Sequence, residues 1–217
     1  MQSMSSATTP KRTRGRPRGG RPALSLDAVV TAAVALLDEA GEDALTFRAL
    51  AARMETGVGA IYHYVGGRDE LLDRVTDAIL VDVLAPVTES DEPFATLRTL
   101  SASLFDTLQR HEWAGPYLMR DATLQPHALG LFEVMGQQFM RLELPAAQCF
   151  NAASTLLSFA VGSGAENREL PDAWLALDAE QFPFLHTIAS GFADHDDREQ
   201  FLAGVDIFLA GVRAQLG

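Results

Sequence analysis

The sequence predicts an all-α protein. Apolar side chains recur at three- and four-residue spacings along most of the chain, which is the helical period. Capping residues or prolines stand where these runs begin, and no segment alternates apolar and polar residues as a half-buried strand does. The 217 residues, 47% of them hydrophobic, suffice for one or two domains with real cores.

Residues 23–82 are interpreted as a first domain of four helices, of which the second and third are short. The expected helices, in order, occupy residues 25–40, 46–54, 58–64 and 68–83. Gly41 ends the first of them, and Gly66-Gly67 end the third. Two short helices joined by a tight turn and braced by a longer first helix form a helix-turn-helix, whose second helix enters the major groove of DNA.

Residues 83–217 are interpreted as a second, larger domain, a helical bundle that the long fourth helix joins to the first. Four prolines mark expected first helical positions in it. These helices begin at Pro93, Pro116, Pro126 and Pro145, the first running to about His111. Residues 168–180 are expected to form a loop, residues 181–191 a short helix, and residues 196–215 the last helix.

Charge is distributed unevenly along the chain, whose formal net charge is −12. Residues 1–24 carry six basic and no acidic side chains, whereas residues 25–75 carry four basic and nine acidic ones. Residues 1–22 are rich in Ser, Gly, Pro and Arg, so we expect a flexible arm. Arginines in such an arm are attracted to the minor groove, and the candidates are Arg16, Arg18 and Arg21. The alternative is a solubilising tail.

The composition also limits the class of protein. The single cysteine, Cys149, excludes a disulfide within the chain and indicates a cytoplasmic protein. The uncharged stretch 144–165 is long enough for a bilayer, but its polar residues favour a buried helix, so no membrane is expected. No catalytic constellation is recognisable, and the histidines lack ligand spacing apart from the acidic run 194–197. We therefore expect no enzyme, no cofactor and no metal.

Three stretches of the first domain carry a specific pattern. They are Thr46-Phe47-Arg48-Ala49-Leu50-Ala51, Thr56-Gly57-Val58-Gly59-Ala60-Ile61-Tyr62-His63-Tyr64-Val65 and Arg68-Asp69-Glu70-Leu71-Leu72. In this order they closely resemble the DNA-binding signature of the TetR family, and residues 201–212 resemble the closing helix of its regulatory domain. The resemblance implies a homodimeric transcriptional repressor that a small-molecule effector releases from a palindromic operator in double-stranded DNA.

The resemblance implies DNA contacts for eleven residues of these stretches. They are Thr46, Arg48, Thr56, Gly57, Val58, Gly59, Ala60, Tyr62, His63, Tyr64 and Arg68. Thr46 begins a helix, where a hydroxyl and backbone amides bind phosphate, and Arg68 matches a basic phosphate contact. Alternatives remain open: Tyr62 as a core aromatic, His63 as an idle surface residue, and the two threonines as caps alone.

The start of the recognition helix departs from the family pattern. Glu55 stands where many members carry glycine, and residues 57–60 are Gly-Val-Gly-Ala instead of polar. These residues permit close backbone approach and apolar contact with thymine methyl groups, but no bidentate hydrogen bonds to bases. Specificity is therefore expected to depend on Thr56, Tyr62, His63 and the shape of the DNA.

The second domain is rich in aromatic residues, most of which we assign to the core. The resemblance implies a pocket for an apolar or amphiphilic effector. We expect it near Trp113, Met135, Phe139 and Phe159. The helices at 145–164 and 196–215 carry small residues and are expected to pair across a dimer, or else to pack only within the chain. Two other functions stay open. One is a regulator that binds no ligand, or that activates transcription rather than repressing it. The other is a helical carrier or enzyme with a vestigial DNA-binding domain.

Overall fold

A computed structural model describes residues 24–86, 92–121, 123–164, 177–189 and 196–216. In these ranges every regular element is helical, which confirms the predicted all-α class. The α-helices, in chain order, are α1 Leu26–Ala40, α2 Phe47–Arg53, α3 Val58–Ile61, α4 Arg68–Ala78, α5 Val81–Leu84, α6 Pro93–Arg110, α7 Pro126–Arg141, α8 Ala146–Gly164, α9 Pro183–Ala189 and α10 Asp197–Arg213. None of the described helices is long and apolar enough to cross a membrane.

The predicted caps begin α1 and α2. Ser25 accepts a hydrogen bond from the Ala28 amide, and Thr46 accepts one from the Ala49 amide, both at 3.1 Å. Gly41 ends α1 with a φ of 73°, a left-handed conformation that suits glycine. These helix ends depend on residues within one turn of each other, so the sequence alone specifies them.

Helix α3 is shorter than the predicted 58–64. The chain leaves the helix after Ile61 because the next residues fold back onto the start of α1. There the Tyr64 hydroxyl donates to the Leu24 carbonyl at 2.6 Å, and Val65 is buried. The second short helix of the helix-turn-helix is therefore a single turn that a tertiary contact terminates.

Two helix predictions were wrong. The fourth helix does not continue to Val83; it breaks after Ala78, and α5 then brings Leu80 and Val83 into the core of the following helices. The helix expected at Pro116 is only a 3-10 turn, Gly115–Tyr117. The turn ends at Leu118, whose backbone is extended, with φ −65° and ψ 131°, and Met119 then follows with a φ of 61°.

Apolar side chains form two separate clusters. The first is made by α1 to α4, with Val29, Leu50 and Leu72 fully buried. The second is made by α5 to α8 and α10. The change between clusters falls between Val75 and Leu80, a few residues before the predicted boundary at 82. We call α1–α4 the N-terminal unit and α5–α10 the C-terminal unit.

Candidate nucleic-acid interface

One side of α3 is open to solvent while the other packs on α2. Ile61 is fully buried between the helices of the N-terminal unit, whereas Gly57, Val58, Gly59 and Tyr62 are exposed. Val58 and Tyr62 are 37% and 57% exposed, which is high for apolar and aromatic side chains. The backbone therefore brings most of the residues predicted on the recognition helix onto one surface strip.

The aromatic residues after α3 divide into two roles. The Tyr62 ring packs against that of Phe47 at the surface, with 4.6 Å between ring centroids and 57° between ring planes. Because Tyr62 is more than half exposed, it is not mainly a core aromatic. His63 beside it is exposed. Tyr64 is half-buried, and its hydroxyl is occupied by the carbonyl of Leu24. Tyr64 thus braces the start of α1, while Tyr62 and His63 face outward.

The residues predicted around α2 surround the same strip. Thr46 is exposed, and its hydroxyl caps α2 while keeping its own hydrogen to donate. Arg48, in the first turn of α2, is exposed too. Thr56 and Ala60 are half-buried, and the Thr56 amide donates to the Ala51 carbonyl at 2.9 Å.

Arg68 braces the loop before α2. Its Nη2 donates to the Glu42 carboxylate at 2.8 Å and to the Glu42 carbonyl at 3.1 Å, and its Nε donates to the Leu45 carbonyl at 3.3 Å. Hydrogen bonding from Tyr117, followed by that from Arg68, lowers the pKa of Glu42. A phosphate must therefore compete with Glu42 for this guanidinium. Sequence reasoning missed Glu42, because it meets Arg68 only in the folded chain.

Most of the positive charge in the N-terminal unit is neutralised internally. Residues 24–86 carry four arginines and eleven acidic side chains. Three of the arginines form ion pairs, namely Arg53 with Glu39, Arg68 with Glu42 and Arg74 with Glu70. Within this range Arg48 is the arginine for which the structure shows no ion pair. The predicted arm residues Arg16, Arg18 and Arg21 lie outside the described residues.

Glu55, in the turn between α2 and α3, has a φ of 49°. This left-handed conformation costs a non-glycine residue roughly 1–2 kcal/mol. We expect Glu55→Gly to raise the free energy of unfolding by about 0.5–1 kcal/mol in a urea titration, since glycine also gains entropy when unfolded. Glu143, with a φ of 61° between α7 and α8, is the matched control. Both glycine variants should gain stability, and a loss in either contradicts the argument.

The four residues predicted to bind an effector do not surround one cavity. Met135 and Phe139 are fully buried in the core of the C-terminal unit. Trp113 lines a cleft against α1, where its Nε1 donates to Asp38 at 2.8 Å. Phe159, 38% exposed, lines a cavity of about 330 Å³ between α6, α8 and α10.

The cavity beside Phe159 has an aromatic wall and a polar rim. The Phe201 ring stacks on Phe105 and on Phe159, with centroid distances of 4.6 and 5.3 Å. The polar residues that line the cavity are Ser163, Asp197 and Gln200. Gly204 permits the packing of Phe159, because a Cβ there would lie 2.6 Å from its ring. Some of the small residues of α8 and α10 therefore serve contacts within the chain.

Helices α8 and α10 also expose large apolar side chains. Phe150 on α8 is 61% exposed and Ile207 on α10 is 75% exposed. Side chains of this size at the surface are typical of faces that pack against another molecule.

Among the described residues no group of three His, Cys, Asp or Glu could hold a metal ion. The acidic run 194–197 lies partly outside those residues.

Comparisons with known proteins match both units to the same family of regulators. Residues 29–75 match the family described as bacterial regulatory proteins, tetR family, and residues 85–216 match the tetracyclin repressor-like C-terminal domain. The regulator SCO7222, a TetR from Streptomyces coelicolor, is 38% identical and has a TM-score of 0.77 over 88% of this chain and 98% of its own. ActR from the same organism, solved in complex with (S)-DNPA, is 27% identical. Its TM-score is 0.76, and the match covers 88% of this chain and 98% of ActR.

A curated relative matches over a shorter range. The HTH-type transcriptional repressor DrrR1 of Streptomyces coeruleorubidus is 36% identical over 97 residues. These residues make up 44% of this chain and 36% of the repressor. The chain therefore spans about a third of the length of this relative.

Proposed function

Because the chain belongs to the TetR family of bacterial regulatory proteins, we propose that it is a homodimeric transcriptional repressor. It binds a palindromic operator in double-stranded DNA and releases it when a small molecule binds the C-terminal unit. The observation that carries this proposal is the exposed strip formed by α3 and the residue that follows it, where Val58 is 37% and Tyr62 is 57% exposed. A cytoplasmic location is part of the proposal, since the operator is there.

In this proposal α3 lies in the major groove, and the residues around it contact the sugar-phosphate backbone of the DNA. Gly57 and Gly59 allow the helix to approach closely, and Val58 offers methyl groups to thymine. Tyr62 and His63 contribute hydrogen bonds at the edge of the strip. Thr46 and Arg48, Thr56 at the turn, and the arginines of the arm contact phosphates and the minor groove. Tyr64 and Arg68 support this surface chiefly by bracing it.

The dimer would form through α8 and α10. A palindrome requires two recognition helices related by a two-fold axis. The exposed Phe150 and Ile207 support these helices as the contact face, since burial of their side chains favours association. Together the four helices of two protomers would make a bundle.

The effector would be an apolar or amphiphilic molecule. The cavity of about 330 Å³ beside Phe159 falls in the lower part of the range of small-molecule sites, about 300–1,000 Å³. Its stacked phenylalanines favour an aromatic ligand, and its polar rim favours one that carries hydrogen-bonding groups. Actinorhodin, which was crystallised with ActR, is the first probe to test. Effector and operator should weaken each other's binding by the same factor.

Gly59 provides a test of close approach to DNA. Its φ lies outside the left-handed region, and an added Cβ would meet no atom within 4 Å, so the fold does not require glycine. Since alanine is the better helix former, Gly59→Ala should stabilise the protein by about 0.5–1 kcal/mol. The same methyl group should weaken operator binding about tenfold by holding the backbone away.

The matched control is Gly136→Ala in α7, where an added Cβ also meets no atom within 4 Å. It should stabilise without any effect on DNA binding. Thermal unfolding and fluorescence anisotropy with a labelled operator measure the two quantities. Operator binding by Gly59→Ala that is as tight as that of the wild type would contradict close approach.

The experiment that tests the proposed function is selection of bound fragments from random duplex DNA, at two salt concentrations. We expect a palindromic consensus whose affinity falls steeply as salt rises. The selected operator then serves for a release assay with actinorhodin. Weak binding without sequence preference would refute the regulator and favour a helical carrier or enzyme.

A further inference from the structure

The N-terminus of α7 is capped by a residue of the N-terminal unit. Gln125, which precedes the helix, makes no side-chain cap, and Pro126 has no amide hydrogen. The next two amides, those of His127 and Ala128, both donate to Oδ1 of Asp77, at 2.7 and 3.2 Å. Oδ2 of Asp77 lies 2.7 Å from Nδ1 of His127. Helix α4 thus supplies the carboxylate cap that a helix usually takes from its own chain.

A second contact lies one turn earlier on α4. Asp73 accepts hydrogen bonds from Nε and Nη2 of Arg120, at 3.0 and 2.9 Å, and from Nε2 of Gln125, at 3.0 Å. Gln125 also donates to the Tyr117 carbonyl at 2.7 Å, so the segment before α7 is tied to the same carboxylate. Residues four apart share a helix face. Asp73 and Asp77 therefore present one face of α4 to the C-terminal unit.

Two contacts constrain α4 more than one does. A single contact is a pivot, whereas two contacts about 6 Å apart along the helix axis fix its direction and its rotation. Asp73 and Asp77 are only 4% and 6% exposed, so water does not readily replace their partners. If α4 moved, the first amides of α7 and the guanidinium of Arg120 would lose these hydrogen bonds together. Because α7 packs on α6 and α8, the contacts tie the N-terminal unit to the core of the C-terminal unit.

We propose that Asp73 and Asp77 are positioning residues that set the angle between the N-terminal and C-terminal units, and thereby the half-site spacing that the dimer accepts. This inference rests on the proposed function, because only in a DNA-bound dimer does the angle determine the distance between the two α3 helices. Neither residue touches DNA. Their role is to restrict the set of operators that can be bound without strain.

The test is a comparison of spacing preference between the wild type and Asp77→Ala. Fragments are selected from random duplex DNA, and affinities are then measured for the selected operator and for versions one base pair longer and shorter. In Asp77→Ala, discrimination among these spacings should fall about fivefold, the factor that corresponds to one capping interaction. The half-site sequence should not change, because α3 is untouched. Asp82→Ala, an exposed acid on α5, is the matched control and should retain the wild-type preference.

Spacing preference separates positioning from simple stabilisation. A cap that only stabilises α7 would lower the melting temperature and leave the preferred spacing unchanged. A folded Asp77→Ala protein, judged by its helical circular dichroism, that discriminates as sharply as the wild type would therefore overturn the inference.

A second variant keeps the test available if Asp77→Ala does not fold. His127→Ala removes the Oδ2 contact at a side chain that is 44% exposed, and it should relax the spacing preference in the same direction. Unchanged discrimination in that variant would overturn the inference. A wild-type protein that selects no palindrome at all would refute the proposed function itself, before any variant is compared.

Discussion

Deletion of residues 1–22 lowers the affinity for the selected operator by about 100- to 1,000-fold at physiological salt, if the arm carries the phosphate contacts. The deleted segment contains six of the seventeen basic residues of the chain and no acidic one. The N-terminal unit cannot replace this charge, because Arg53, Arg68 and Arg74 are already paired with glutamates. The plot of log affinity against log salt should also become shallower, by about two to five in slope per protomer.

Two controls separate charge from chain length. Deletion of residues 1–10, which contain no charged side chain, should leave affinity and salt dependence unchanged. Replacement of Arg16, Arg18 and Arg21 by lysine should keep most of the salt slope but weaken any preference for a narrow minor groove, since that preference favours arginine. If the full deletion altered neither the affinity nor the slope, the arm would be only a solubilising tail.

Local chemistry explains what could be predicted from the sequence. Ser25 and Thr46 cap α1 and α2 with hydrogen bonds that reach only three residues along the chain. Pro93 and Pro126 begin α6 and α7 at the predicted positions, because proline lacks the amide hydrogen that a first helical residue does not need. Such signals act within one helical turn, so the start of a helix can be predicted from them without knowledge of the fold.

The features that sequence reasoning missed depend on distant partners. The start of α7 is capped by the carboxylate of Asp77 on α4, which precedes His127 by fifty residues in the sequence. The pairing of Arg68 with Glu42 likewise joins residues 26 positions apart. Periodicity identifies Met135 and Phe159 alike as apolar positions. Only packing distinguishes the first, which is fully buried, from the second, which lines a cavity.

Asp73→Ala should cause the largest loss of stability among the substitutions considered, about 2–3 kcal/mol in the free energy of unfolding. Asp73 is nearly buried and accepts three hydrogen bonds, two from Arg120 and one from Gln125. Its removal leaves the fully buried Gln125 amide and the Arg120 guanidinium without that acceptor. The loss stays below that of a fully buried ion pair because the Arg120 side chain is 35% exposed and can be rehydrated.

Asp69→Ala is a control on the same helix and with the same partner. Its carboxylate is 86% exposed and lies 3.5 Å from Nη1 of Arg120, so the substitution should cost less than about 0.5 kcal/mol. The hydrogen bond with Asp73 is also the leading cause that raises the pKa of Arg120, ahead of the charge of Asp69. Urea titrations of the two variants measure the difference. Equal losses would mean that burial does not strengthen the contact between α4 and the segment before α7, and the two-point attachment of the N-terminal unit would lose its energetic basis.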